Sequence, residues 1–372
     1  RANPAVSLYV TYDEASLDVL EKTTRLERVP VAHNFRHDQL DHIVTEEHLA
    51  QDISQVQVEN IPQSLKDVWS ELSFLHKLAQ HLKAQREVVR GKPENFSRPD
   101  YSFRLQGNGK NEPDGSETVH ISTRKRGSPL DLIVAEAAIV ANSSWGQMLA
   151  DFGVPGIYRS QASMAPGVKV RMSTKAQPHA GMGVKCYTWA TSPLRRYVDL
   201  VNQWQVIACA RHGATAALAA PFKPKDADLF SIISNFEATY GAYNSYQAGM
   251  ERFWTLKYLE QNGITEIDGA LIRDDAAGGA LVRADTLPLV VNVLGAQGMG
   301  RGARVRVKLG QVDLISLDIH GTVVARLDDP QDPSDDAPLD AEDDGDGAEV
   351  TAGPIAIAVD VNEADSPDNP TP

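Results

Sequence analysis

The chain opens on a strict alternation. Val6, Leu8 and Val10 fall on one side of RANPAVSLYVTYDEAS, the period-two pattern of a half-buried strand, and LDVLEKTTRLERVPVAHNF continues as one or two more. The period then changes. Leu65, Val68, Trp69, Leu72, Leu75, Leu78 and Leu82 recur at three- and four-residue steps, which predicts one long amphipathic helix from Ser64 to Arg90, stopped by Gly91 and Pro93. Gln106 to Gly127 reads as a polar hairpin turning at Gly107-Asn108-Gly109 and Pro113-Asp114-Gly115, with Thr118 to Ser122 as the return strand. Ser128-Pro129 caps a second helix that ends at Gly153 and is apolar almost all round, so its expected place is the interior. One carboxylate, Glu136, sits in its middle. Buried there, it needs a partner or a function, and an arginine is the natural candidate.

A third helix follows, with Ser192 as N-cap, Pro193 in the first helical position and Gly213 as a left-handed stop. Its apolar face is Leu194, Tyr197, Val198, Val201, Trp204 and Ala208. Asp226 to Gln261 reads as one more helical segment with Phe230, Ile233, Phe236, Tyr240 and Tyr243 inward. From Ile264 to Leu327 the alternation returns in five short runs, with Gly278-Gly279 and Gly298 to Gly302 as turns, the pattern of a small β-barrel. The whole is an α+β chain.

Composition changes this picture in one respect. The 372 residues, 42% hydrophobic and 23% charged, suffice for two or three ordinary globular domains, and no apolar run approaches a membrane span. A net charge of −14 argues against nucleic acid until it is located. From Asp328 onward stand fifteen Asp and Glu and no Lys or Arg, which leaves the first 327 residues near +1. That tail is expected to be disordered, and a nucleic-acid path would be a local groove rather than a basic surface. Cys186 and Cys209 lack metal-site spacing and suggest buried thiols in a reducing, cytoplasmic setting. No P-loop, nucleophile elbow, HExxH or dinucleotide glycine fingerprint occurs.

The candidate chemistry lies in Pro178 to Gly213, PHAGMGVKCYTWATSPLRRYVDLVNQWQVIACARHG. Arg195 and Arg196 fall in the first turn of the expected helix, where a cation is disfavoured by about 0.3–1 kcal/mol unless an anion sits nearby. Two guanidinium groups beside helix N–H groups make a phosphate site. The competing reading pairs Arg195 with Asp199 one turn on, as a weak surface contact. Upstream, Phe96, Tyr101 and Phe103 surround Arg98, the composition either of a base-stacking surface or of a strand edge with core aromatics. His33, His37 and His42 have no clear metal spacing and read as solvated side chains. Arg124, Lys125 and Arg126 could touch phosphate, against a default of plain surface charge.

TSPLRRYVDL, preceded by PHAGMGVKCYTWA, resembles the signature of the RNB family, the ribonuclease II and ribonuclease R type 3′→5′ exoribonucleases. The resemblance continues in Glu136, Ala141 and Asn142 of the second helix, in GIYRSQ at 156–161 and in GMERFWTLKYLEQNG with its Glu251-Arg252 pair. It covers residues 1–262 well, as a partial RNB catalytic domain, and 263–327 loosely, as an S1-type oligonucleotide-binding barrel, with 328–372 as the tail. It implies that Arg195 reaches the scissile phosphate, that Phe96 packs on a nucleotide, and that Glu136 holds the 3′-terminal nucleotide. Arg196, Tyr101, Arg98 and Tyr187 fall on the substrate side as well. His37 stands where relatives can carry a tyrosine. The barrel has no Phe, Tyr or Trp, so it either binds RNA weakly through Arg301, Arg304, Arg306 and Lys308 or only packs.

The resemblance also implies two-metal hydrolysis with Mg²⁺ on clustered aspartates. In the family these precede the opening strand, so the chain is expected to be a C-terminal part, inactive alone, of an enzyme releasing nucleoside 5′-monophosphates from single-stranded RNA. No membrane or DNA partner is implied. The alternatives are a non-catalytic RNA-binding RNB-like protein and a structural module whose barrel binds protein.

Overall fold

The computed structural model describes residues 2–94, 99–107, 116–124, 127–165, 167–274 and 279–328. The expectations for Phe96, Arg98, Lys125, Arg126, most of the 106–117 turn and the acidic tail lie outside them. In chain order the elements are β1 (Ala2–Tyr12), β2 (Val19–Pro30), α1 (His37–Leu40), α2 (Glu46–Leu49), α3 (Gln63–Lys66), α4 (Trp69–Arg90), β3 (Asp100–Gln106), β4 (Thr118–Arg124) and α5 (Pro129–Asp151). Then come β5 (Tyr158–Ser160), β6 (Arg171–Ser173), α6 (Tyr197–His212), α7 (Ala216–Ala219), α8 (Ala227–Asn262), β7 (Glu266–Asp274), β8 (Ala280–Ala284), β9 (Val290–Leu294), β10 (Arg304–Leu309) and β11 (His320–Arg326). The described residues form two compact units, one of 2–94 with 127–239, the other of those between 99 and 124 with those between 240 and 328, so that α8 contributes to both.

In the first unit β1 and β2 make a long antiparallel hairpin in which Val6 opposes Leu26 and Leu8 opposes Thr24. Asp13 closes its turn by accepting the N–H groups of Ala15 and Ser16 at 3.0 and 2.8 Å, with Leu17 in the left-handed region. Val6 and Leu8 pack on a core of Trp145, Leu149, Tyr158, Cys186, Val206 and Cys209. Burial pushes the Cys209 thiol up to about 11, the condition of an inert core cysteine. The stripe expected to be one helix from Ser64 is two: α3 ends at Lys66 and Val68, at φ −118° and ψ 16°, breaks the path before α4. The break lets both Leu65 and Trp69 enter a pocket of Leu40, Ile43, Val44 and Leu49. The stop at Gly91 is as expected, with φ 73°.

In α5 the Ser128 hydroxyl accepts the Asp131 N–H, as its cap chemistry requires. The helix is not enclosed on all sides, since Val134 is 67% exposed. Its inner face is set by polar anchors, Glu136 and Asn142, which composition alone did not rank above its aliphatic residues. Of the five side chains expected to face inward from α8, Ile233 is buried, whereas Phe230 and Tyr243 are exposed. The buried apolar positions of that helix are Leu229, Ile233, Leu256 and Leu259.

The second unit holds a closed barrel in the order β10-β11-β9-β8-β7. Val282, Val291, Val293, Val305, Val307 and Ile319 fill it, joined by Leu256 and Leu259 of α8. β3 and β4 form a separate antiparallel pair in this unit, and Gln261 anchors it by accepting the Val119 N–H at 3.0 Å.

Candidate phosphate-binding site

The segment entering the arginine pair is held between two helices by amide side chains. Asn142 of α5 accepts the Ala190 N–H at 2.9 Å, and its own carbonyl accepts the Thr188 hydroxyl at 2.8 Å. Asn202 of α6 donates to the carbonyls of Trp189 at 2.8 Å and Ile157 at 2.9 Å, and Gln203 donates to that of Ala190 at 2.8 Å. The backbone of Trp189 and Ala190 is thus fixed by side-chain amides, those of Asn142 and Asn202 buried, whose loss would leave backbone groups unmet.

The α6 helix begins at Tyr197, not at Pro193, and Ser192 is not its cap. Residues 193–195 form a separate turn in which Arg195 and Arg196 donate their N–H groups to the Ser192 carbonyl at 3.2 and 3.1 Å. Arg196 is the N-cap residue, with extended backbone at φ −125° and ψ 117°. The cause is Asp199, in the first turn, whose carboxylate reaches back past the helix end to accept the Ser192 N–H at 2.8 Å. An acid there is also favoured by the helix dipole.

The two arginines separate. Arg196 donates from Nε and Nη2 to the two oxygens of Asp199 at 2.8 and 2.9 Å, a two-pronged pair in which Arg196 is 6% and Asp199 0% exposed. Its guanidinium lies 4.1 Å from the centroid of the Trp189 indole, over which Arg159 also lies at 3.8 Å. Arg196 therefore departs from its expected place on the substrate: both faces of its chemistry are used inside the protein. Arg195 is exposed, with Nη2 donating to the Ser192 hydroxyl at 3.3 Å. The carboxylate that the competing reading gave to Arg195 takes the guanidinium of Arg196.

Glu136 has the arginine its burial demanded. Arg86 of α4 donates from Nε to Oε2 at 3.0 Å and from Nη2 to Oε1, and also pairs with Glu94 at 2.8 Å. The Glu136 carboxylate is thus engaged in an internal ion pair rather than presented to a ligand. Tyr187 is likewise buried, its hydroxyl accepting from Asn142 at 3.3 Å and its ring edge-on to His179. The glycines ahead of it serve packing: a Cβ on Gly183, at φ 66°, would collide with the Arg86 carbonyl, and one on Gly181 with the Gln161 side chain. Tyr101 lies on β3 in the second unit, where burial and the charge of Asp285 raise its hydroxyl. His33 stacks on Phe35. Among the described residues no three His, Cys, Asp or Glu side chains gather in a way that could hold a metal, and no helix is long and apolar enough to cross a membrane.

A sequence model of the RNB domain matches residues 1–169 and 168–212. The chain belongs to the RNB family. Among curated relatives it is 28% identical over 211 residues to an uncharacterized ribonuclease, sll1290, of Synechocystis sp. (strain ATCC 27184 / PCC 6803 / Kazusa), covering 49% of this chain and 30% of that one. It is 26% identical over 102 residues to the mitochondrial exoribonuclease DSS-1 of Trypanosoma brucei brucei, covering 24% of this chain and 14% of the relative. The chain thus spans under a third of either relative's length. Of solved structures, Mycoplasma genitalium RNase R in complex with ribose-methylated single-stranded RNA superposes with a TM-score of 0.65 at 14% identity, over 87% of this chain and 58% of that one. An active-site mutant of Dss1 exoribonuclease from Candida glabrata gives 0.63 at 16% identity, over 87% and 43%. At these identities the likeness is one of fold.

Within this RNB chain the surface arginine and its supports come from β5, the 186–195 segment and α6. Sequence reasoning missed Arg86 and Arg159 as structural partners, and gave Asn202 no part. The demand for an arginine beside Glu136 was legible. That the donor was Arg86 could not be found without the packing of α4 on α5.

Proposed function

We propose that this chain is the phosphate-handling part of an RNB-type 3′→5′ exoribonuclease that hydrolyses single-stranded RNA to nucleoside 5′-monophosphates. The observation that carries the reading is Arg195: an exposed guanidinium on a turn fixed by buried hydrogen bonds, at the family's signature position. The names of the relatives support the same activity. A fixed cation there would bind the backbone in the ground state and meet the charge that grows on the phosphate as a bond breaks. The described residues do not fit Mg²⁺; in this reading the metal, which supplies activated water and Lewis-acid polarisation when bound, is held by residues outside them.

The test is binding of a fluorescent single-stranded RNA to the whole chain over a salt series. Arg195→Ala is expected to weaken binding about tenfold, the worth of one charge-assisted contact, and to reduce the salt slope by about 0.7, that of one phosphate on a single strand. Unchanged affinity and slope would overturn the assignment. RNA binding without monomer release under Mg²⁺, in a protein carrying a full aspartate cluster, would give the non-catalytic reading instead.

A further inference from the structure

The second arginine of the pair has an assignable role of its own. We propose that Asp199, Arg196 and Trp189 form a positioning frame for Arg195, setting where its guanidinium can reach without touching the ligand themselves. The inference rests on the phosphate reading of Arg195 above.

One carboxylate ties both ends of the turn. Asp199 accepts the backbone N–H of Ser192 at 2.8 Å, and its two oxygens take the forked guanidinium of Arg196 at 2.8 and 2.9 Å. Arg195 stands between these two fixed points. Under the fork lies Trp189, whose carbonyl is held by Asn202 at 2.8 Å and whose ring is set edge-on to Phe236 at 6.5 Å between centroids. A buried ion pair is a poor device for stability, because apolar residues of equal volume do as well or better. It is a good device for direction: its planar fork and stacked ring allow one geometry. The backbone of Arg195 is thereby ordered before any ligand arrives, which removes part of the ordering cost of binding. Lysine at 196 would keep the charge and lose both the fork and the stacking plane.

The experiment is a double-mutant cycle on the whole chain, reading single-stranded RNA affinity and its salt slope, with the folded fraction of each variant fixed by circular dichroism. Arg196→Lys is expected to weaken binding about tenfold and to lower the slope by about 0.7 despite its unchanged charge. In Arg195→Ala/Arg196→Lys the second change is expected to add nothing to the first. Asp199→Asn is the second probe and is expected to repeat both results. Full additivity of Arg196→Lys with Arg195→Ala, or wild-type binding by both Arg196→Lys and Asp199→Asn, would overturn the frame while leaving the phosphate reading intact. No effect of Arg195→Ala alone would remove the phosphate reading and the frame with it.

Discussion

Burial drives the Arg86 guanidinium towards its neutral form, and the hydrogen bonds and charges of Glu136 and Glu94 more than reverse that, holding it above its ordinary value. On the other side of the pair, burial raises the Glu136 carboxyl and Arg86 opposes the rise. Removing one partner of such a pair strands a charge without water. Glu136→Gln, nearly isosteric, is therefore expected to destabilise the protein by about 3 kcal/mol in urea unfolding, with Glu94 covering part of the deficit. A change below about 0.5 kcal/mol would mean that the buried carboxylate carries little of the fold. At this scale the sequence was informative about needs and silent about identities. It asked for a partner or a function for Glu136, with an arginine as the natural candidate, but did not name Arg86, and it placed Arg195 and Arg196 together where Asp199 separates them. Spacing does not record which of two neighbouring side chains a carboxylate will take.

Elements were legible where a local signal decides them and illegible where a tertiary contact does. Gly91 stops α4 and Ser128 caps α5 by chemistry confined to a few residues. The start of α6 was misjudged because Ser192-Pro193 is as good an opening for a turn as for a helix, and a long-reaching hydrogen bond from Asp199 settles which. Gly183 shows the same dependence on a distant element. It combines φ 66° with contact against the Arg86 carbonyl, whereas Gly91, at φ 73°, has nothing within 4 Å of where a Cβ would stand. Gly91→Ala is thus expected to cost about 1 kcal/mol, the backbone strain alone, and Gly183→Ala about 2–3 kcal/mol, because α4 must move away from the 179–184 turn as well. Equal losses for the two in thermal or urea unfolding would contradict the close approach.

At the scale of the molecule, alternation from Ile264 onward was enough to foresee a barrel, because burial on one face of each strand is all that closure demands. What its surface does was not legible. Arg306 on β10 meets Asp268 on β7 through two hydrogen bonds at 2.7 and 2.9 Å, Arg304 pairs with Asp285, and Lys308 stands opposite Glu266 in the strand register. Three of the four cations expected to carry RNA on this barrel thus face acids, two of them on the neighbouring strand β7, a relation that spacing along the chain does not reveal. With the first 327 residues near electroneutrality, the proposed RNA binding would have to be local, and Arg195 in the first unit is its expected centre. The direct measurement is to neutralise single phosphates of a short RNA as methylphosphonates, one linkage at a time, and compare wild-type protein with Arg195→Ala. One linkage near the 3′ end is expected to cost the wild type about tenfold in affinity and the variant nothing further. The same loss at every linkage in both proteins would contradict a phosphate held by Arg195.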